Sequence, residues 1–180
     1  MFLDRDGVIN RPIVKDGVPQ PPSDVSELEI PEDVPQALSR LRNFGFRLVV
    51  VSNQPDVSRK LRSQGSVDAI NSVLKDALEI DEFRVCFHDD GDGCSCRKPL
   101  PGMLLEAAAE AQIDLAASYM VGDRWRDIEA GKRAGCRTVL IDYGYDEHLT
   151  SEPDEVVKSL SDAAQWILSQ EAEGDNEVAR

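Results

Sequence analysis

The stretch YMVGDRWRDIEAGKRAGCRTVLID, residues 119–142, decides the fold. It begins with an apolar run at 119–122, continues as a helical segment that Gly135 closes, and ends in a second apolar run at 138–142. A strand, a helix and a strand in this order are typical of a βαβ unit, whose two strands run parallel in one sheet. The segment therefore predicts a parallel sheet covered by helices.

The rest of the chain repeats this alternation. Further strands are predicted at 1–4, 46–52, 84–87 and near Val156, and helical apolar spacing occurs at 34–41, 67–78, 103–111 and 163–168. The pattern predicts an α/β fold with helices on both faces of a parallel sheet. We expect one domain over residues 1–170, an irregular loop at 11–31, and an acidic, disordered tail at 171–180.

The charge of the chain limits its partners. A formal net charge of -14 over 180 residues argues against a nucleic-acid backbone or an anionic membrane as partner. It leaves open a small phosphorylated metabolite, because a local basic pocket or a bound cation reverses the local field. No apolar run is long enough to span a bilayer and no signal-peptide pattern is present, so we expect a cytoplasmic monomer.

Polar groups follow four of the predicted strands, at the edge where open parallel sheets bind ligands. Taken singly, each has an ordinary structural interpretation: a solvated acid, a turn residue, a surface lysine or a helix cap. The groups are Asp4 and Asp6 after the first strand, Ser52 after the second, Lys98 after the third, and Asp123 with Asp127 after the fourth.

Together these groups have the composition of a phosphoryl-transfer site. A carboxylate can attack phosphorus, and a second carboxyl group can move a proton to the leaving oxygen. A hydroxyl and an ammonium can stabilise the transferring phosphoryl group, and further acids suit a hard cation such as Mg²⁺. The sequence therefore predicts Mg²⁺-assisted chemistry through an aspartyl-phosphate.

A second cluster lies just upstream of Lys98. Cys86, His88, Cys94 and Cys96 offer three sulfurs and one imidazole, which are enough to close a tetrahedral Zn²⁺ site without an open position for water. We therefore expect a structural zinc. The alternatives are a disulfide, which the cytoplasm disfavours, and a set of buried structural cysteines, which would not explain the histidine.

Four motifs resemble those of the haloacid dehalogenase-like phosphohydrolases: FLDRDGVIN, VVVSNQ, CRKP and VGDRWRDIEAG, in order over residues 2–131. DRDGVIN and CFHDDGDGCSC further resemble the D-glycero-D-manno-heptose 1,7-bisphosphate phosphatases and the related histidinol-phosphate phosphatases. The resemblance implies a Rossmann-like core with little or no cap domain and a zinc-binding loop.

The resemblance also implies a role for each residue. Asp4 is then the nucleophile and Asp6 the general acid and base. Mg²⁺ is held by Asp4, the backbone carbonyl of Asp6 and Asp123, with Asp127 behind them. Ser52 and Lys98 stabilise the phosphoryl group, and Asn53 and Arg97 contact the rest of the substrate.

The chain departs from the heptose-phosphate pattern at 55–60 and in the loop at 11–24, both expected to contact the sugar. We expect a heptose 1,7-bisphosphate as the substrate, with histidinol phosphate or another small phosphomonoester as the alternative. Two alternatives of another class are a signalling receiver domain and a binding domain with a degenerate phosphatase fold. A second carboxyl two residues after the nucleophile argues against the receiver, which must hold its phosphate.

Overall fold

A computed structural model describes residues 1–15 and 18–178 of the chain. The structure describes eight strands: β1 (Phe2–Leu3), β2 (Ile13–Lys15), β3 (Val18–Gln20), β4 (Val49–Asn53), β5 (Glu82–Cys86), β6 (Tyr119–Gly122), β7 (Arg137–Ile141) and β8 (Glu155–Val157). Six of them form one parallel sheet in the order β5-β4-β1-β6-β7-β8, which confirms the predicted α/β class.

Five α-helices connect and follow these strands. The glycine cap predicted at Gly135 is present, with a left-handed φ of 86° at the end of the fourth helix, and Gly45 ends the first helix in the same way with a φ of 115°. The helices are α1 (Val34–Phe44), α2 (Gln64–Leu78), α3 (Gly102–Ala111), α4 (Trp125–Ala134) and α5 (Leu160–Val178).

The sheet separates two apolar cores, because successive side chains of a strand point to opposite faces. Leu3 packs into the core that includes α1, α2 and α5. Its neighbour Phe2 packs into the core of α3 and α4, which also holds Cys136. The helices therefore cover both faces, and the apolar strands need no polar exposed side.

The carboxyl ends of the six parallel strands meet at one edge of the sheet. The central strand β1 pairs with β4 on one side and with β6 on the other. The residues that follow β1, end β4 and follow β6 are therefore neighbours in space, although they lie far apart in sequence.

Residues 11–31 differ from the predicted irregular loop. Strands β2 and β3 form a short antiparallel hairpin, and Val25–Glu27 forms one 3-10 turn. Three-residue strands are too short to show a period in the sequence, and Pro19 argues against a strand. The prediction of an irregular loop was therefore wrong for these elements.

The end of the chain also differs from the expectation of a tail beginning at residue 171. Helix α5 runs on to Val178, and the hydroxyl of Tyr119 donates a hydrogen bond to Glu171 Oε1 (2.6 Å). Residues 179–180 lie outside the described part of the chain. Among the described residues, no helix combines the length and apolar character that crossing a membrane requires.

Candidate active site

Lys98 lies between two carboxylates at the carboxyl edge of the sheet. Its ammonium donates to Asp4 Oδ1 and to the backbone carbonyl of Val51, both at 2.7 Å, and Nζ lies 2.6 Å from Asp127 Oδ1. Burial disfavours the ammonium, but the charges of Asp127 and Asp4 outweigh it and raise the pKa of Lys98. The lysine therefore remains charged.

Three carboxylates converge around this one ammonium. Oxygens of Asp4, Asp123 and Asp127 all lie within 4.8 Å of one another, and all three residues are buried. Burial and the charges of Asp127 and Asp6, opposed by Lys98, raise the pKa of Asp4 to about 7. Burial and the charges of Asp4 and Asp127 raise the pKa of Asp123 well above its ordinary value. The cluster has more negative charge than its lysine can balance.

Two observations indicate that this cluster can bind a divalent cation. Asp123 Oδ1 is buried and accepts no hydrogen bond within the described residues. Gly7, with a φ of 94°, packs so closely that an added Cβ would lie 2.1 Å from Asp123 Oδ2. The turn after Asp6 therefore presses against Asp123 and leaves no room there for a side chain.

Asp127 has partners at both oxygens. Its Oδ1 contacts Lys98, and its Oδ2 accepts a hydrogen bond from the backbone N–H of Arg124 (3.0 Å) at the start of α4. These contacts indicate that Asp127 helps to position Lys98 in the cluster.

The Asp6 carboxylate is held by four donor groups. Arg5 donates through Nε and Nη2 at 3.0–3.3 Å, Asn10 Nδ2 donates at 3.0 Å, and Gln54 Nε2 donates at 2.8 Å. The fully buried Arg5 also donates to Asn71 Oδ1 on α2 (3.0 Å). Sequence reasoning missed these supports; the signal was the position of Arg5 and Gln54 directly beside predicted site residues.

Ser52 and Asn53 end β4 beside this group. Gln54 Nε2 donates to Ser52 Oγ (2.9 Å), which leaves the hydroxyl hydrogen of Ser52 free to point into the cavity. Asn53 is bound at both ends of its amide by the backbone of Lys98, at 2.9 and 3.1 Å. Its observed contacts position Lys98, whereas the sequence predicted a substrate contact.

The metal-binding loop, which we define as residues 86–97, brings the predicted soft ligands together. Cys86 Sγ lies 3.1 Å from Cys96 Sγ, 3.7 Å from Cys94 Sγ and 3.5 Å from His88 Nδ1, and all four ligand atoms lie within 4.8 Å of one another. Tetrahedral thiolates at a Zn–S distance of about 2.3 Å would lie about 3.8 Å apart, so the cluster fits zinc. The three cysteines of this cluster are free thiols, and His148, which lies outside it, is exposed.

The acidic residues of this loop hold arginines. Arg59 donates to both oxygens of Asp89 at 2.6 Å. Asp90 Oδ1 accepts from Arg97 Nε (2.8 Å) and from Arg126 Nη1 (3.1 Å). These ion pairs connect the loop to the segment after β4 and to the start of α4.

A cavity of about 510 Å³ opens above the cluster. Carboxylates line its base, and arginines line its walls. The arginines are Arg59, Arg97, Arg124 and Arg126.

Comparison with known proteins places this site in a family. Residues 95–163 match the model of the HAD-hydrolase-like family. Over 149 residues the chain is 35% identical to the D-glycero-beta-D-manno-heptose-1,7-bisphosphate 7-phosphatase of Bordetella bronchiseptica, with 80% of each chain covered. The chain belongs to this family of HAD-like phosphatases.

A further relative and a solved structure extend the match. The D-glycero-alpha-D-manno-heptose-1,7-bisphosphate 7-phosphatase of Photorhabdus laumondii is 32% identical over 167 residues, 86% of each chain. The crystal structure of D,D-heptose 1,7-bisphosphate phosphatase from B. bronchiseptica, complexed with magnesium and phosphate, superposes with a TM-score of 0.82. It is 31% identical and covers 94% of this chain and 98% of its own. The predicted fold and family are confirmed, and nothing supports the receiver-domain alternative.

Proposed function

We propose that the protein is a Mg²⁺-dependent phosphatase that hydrolyses a phosphate ester of D-glycero-D-manno-heptose 1,7-bisphosphate through an aspartyl-phosphate on Asp4. The observation that supports this proposal most strongly is the buried Asp4 carboxylate. It pairs with Lys98 and lies beside two further carboxylates, at the base of a cavity whose walls contain arginines. The family's named substrates support the choice of sugar.

Asp4, the backbone carbonyl of Asp6 and Asp123 would hold the magnesium ion. Bound there, Mg²⁺ supplies positive charge that offsets repulsion between the Asp4 carboxylate and the phosphate dianion. The unpartnered oxygen of Asp123 and the crowding of the three carboxylates support this assignment.

In the first half-reaction an oxygen of Asp4 attacks phosphorus, and the bond from phosphorus to the sugar oxygen breaks. Asp6 gives a proton to the departing oxygen, and in the second half-reaction it takes a proton from the water that cleaves the aspartyl-phosphate. To reach the leaving oxygen, Asp6 must exchange one of its hydrogen bonds from Arg5, Asn10 or Gln54.

Lys98 and Ser52 stabilise the phosphoryl group during this transfer. All three ammonium hydrogens of Lys98 have partners: Asp4, Asp127 and the Val51 carbonyl. When Asp4 becomes an acyl phosphate it loses its charge, so the lysine can turn its hydrogen bond toward the phosphoryl oxygens. The free hydrogen of Ser52 supplies a second donor.

The arginine wall favours a substrate with a second anionic group. Arg97 and Arg126 meet at Asp90 beside the cavity and offer several guanidinium donors to a second phosphate. Histidinol phosphate would bring a cationic amine toward the same wall. This charge pattern supports the bisphosphate over histidinol phosphate, and it does not discriminate between the anomers.

The metal-binding loop takes a structural role in this proposal. Three thiolates and one imidazole would hold zinc in a closed site, so the ion would position Arg97 and Lys98 and bind no substrate. The four free thiols support a reducing, cytoplasmic setting.

The test is a phosphate-release assay with Mg²⁺ on both anomers of heptose 1,7-bisphosphate, on histidinol phosphate and on common sugar phosphates. We expect release from a heptose bisphosphate at least tenfold faster than from the others, as kcat/KM. The Asp4→Asn variant is the control for contaminating phosphatases. No release from any substrate, with magnesium and zinc confirmed bound, would contradict the proposal and favour a binding domain.

A further inference from the structure

The two segments that depart from the family pattern line the same cavity. Pro19, Gln20 and Pro21 contribute from the end of the β2–β3 hairpin, and Pro55, Asp56 and Arg59 contribute from the segment 55–60 after β4. Both segments belong to the wall beyond the phosphoryl-transfer groups, where the non-reacting part of a substrate would lie.

Arg62 joins these two walls. Its Nη1 donates to the carbonyl of Pro22 (2.6 Å), and its Nη2 donates to the carbonyl of Pro21 (3.1 Å). Prolines have no backbone N–H, so their carbonyls are the only backbone groups through which this part of the chain can be held. A guanidinium can hold two carbonyls at once, because its donors are fixed in one plane.

The backbone that carries Arg62 is held by hydrogen bonds of its own. The backbone N–H groups of Leu61 and Arg62 donate to the Asp56 carbonyl at 2.9 and 3.2 Å. The next residue, Ser63, caps α2 by accepting from the N–H of Ser66 (3.1 Å). Arg62 therefore stands on a closed turn at the start of a fifteen-residue helix.

The hairpin itself has little intrinsic stability. It pairs only three positions on each strand, and a two-stranded hairpin of this size is marginal alone in water. At its start, the backbone N–H of Arg11 donates to the Glu29 carbonyl (2.9 Å). At its end, the two hydrogen bonds from Arg62 fix the residues that enter the cavity wall.

We propose that Arg62 is a positioning residue that fixes the end of the hairpin as a cavity wall and so selects for a phosphorylated sugar large enough to reach it. This proposal rests on the proposed phosphatase function. It connects the two departing segments: Arg62 lies two residues after the segment 55–60, and the carbonyls that it holds, those of Pro21 and Pro22, lie in the segment 11–24.

The test compares Arg62→Ala and Arg62→Lys with wild type, using Arg47→Ala as the matched control. Arg47 is a half-exposed arginine whose ion pair with Glu82 (3.3 Å) lies away from the cavity. For the preferred heptose bisphosphate, we expect Arg62→Ala to raise KM about tenfold with kcat changed less than about threefold. Hydrolysis of p-nitrophenyl phosphate, which does not reach the hairpin, should change less than about twofold. Arg62→Lys keeps a single charged donor group, so its KM for the bisphosphate should lie between the values of wild type and Arg62→Ala.

A second readout needs no turnover. Backbone amide hydrogen exchange in strands β2 and β3 should be at least about fivefold faster in Arg62→Ala than in wild type or Arg47→Ala. An unchanged KM for the bisphosphate in Arg62→Ala, or unchanged exchange in these strands, overturns the proposal. Failure of the proposed function looks different: the wild-type protein would then release no phosphate from either anomer.

Discussion

The catalytic edge and the metal-binding loop are held in place by different forces. Asp4 and Asp123 are buried directly after strands β1 and β6, Asp127 is buried in the first turn of α4, and Lys98 is buried four residues before α3. The sheet below them separates two packed apolar cores. The loop between β5 and α3 has no regular secondary structure, and most of its residues are at least partly exposed. Its path depends on four ligand atoms and on the ion pairs of Asp89 and Asp90.

Lys98 connects the two regions. It follows the loop in sequence, yet its ammonium lies inside the catalytic cluster. Under the proposed function the two regions would divide the roles: the edge would carry the chemistry, and the loop would position one of its groups, Lys98. The largest effects should follow from changes at the edge, and smaller ones from changes in the loop.

Asp4→Asn should abolish turnover, with a loss of about 10³-fold or more, because a neutral amide is a poor nucleophile toward phosphorus. The fold should be retained, since the change removes a negative charge from a buried cluster of three carboxylates. Steady-state kinetics and thermal melting test this. Turnover near the wild-type level would break the assignment of the chemistry to the edge.

Cys94→Ser and Cys96→Ser should lose the bound zinc and lower turnover about 10- to 100-fold, because the loop would no longer fix the backbone before Lys98. Metal analysis and kinetics on the same samples check both parts. Cys136→Ser is the matched control, since this cysteine lies in the core of α3 and α4, away from the cluster. Full turnover in a zinc-free variant would show that the loop does not position Lys98.

Asp90→Asn should have a smaller effect. The change removes the charge that holds Arg97 and Arg126 together, at a largely exposed site where such ion pairs are worth about 1 kcal/mol or less. We expect KM for the bisphosphate to rise about threefold, with kcat nearly constant. A comparable fall in kcat would mean that the loop also acts on the chemical step.

The smallest expected effect is the change in the Tm of the wild-type protein when magnesium is added at different pH values. Burial raises the pKa of Asp4 to about 7 from an ordinary 3.8, so the metal-free folded state binds a proton more tightly than the unfolded chain does. The resulting stability is present below about pH 4 and is lost as the pH rises toward 7. Mg²⁺ competes with that proton, so it should raise Tm by a few degrees at pH 8 and by less at pH 5. Thermal melts at both pH values check this, and a larger magnesium effect at pH 5 would contradict it.

Sequence periodicity was enough to predict the sheet, the helices on both faces and the glycine cap at Gly135. It placed Asp4, Ser52, Lys98 and Asp123 at strand ends, and parallel strands bring such ends to one edge. The supports of Asp6 could not be found this way, because Asn71 lies in the middle of α2 and meets Arg5 only after folding. The hairpin was missed for a related reason, since contacts with Arg62 hold it where its own pattern does not.

The most direct test of the division between edge and loop is to locate the transferred phosphoryl group. A rapid acid quench during turnover of the heptose bisphosphate, followed by trypsin and mass spectrometry, examines the peptide 1–5, which contains Asp4 but not Asp6. The account predicts one phosphoryl group on this peptide, absent in Asp4→Asn, and formed more slowly but at the same residue in Cys96→Ser. Phosphate release with no phosphorylated 1–5 peptide, or a phosphoryl group on the metal-binding loop, would contradict it.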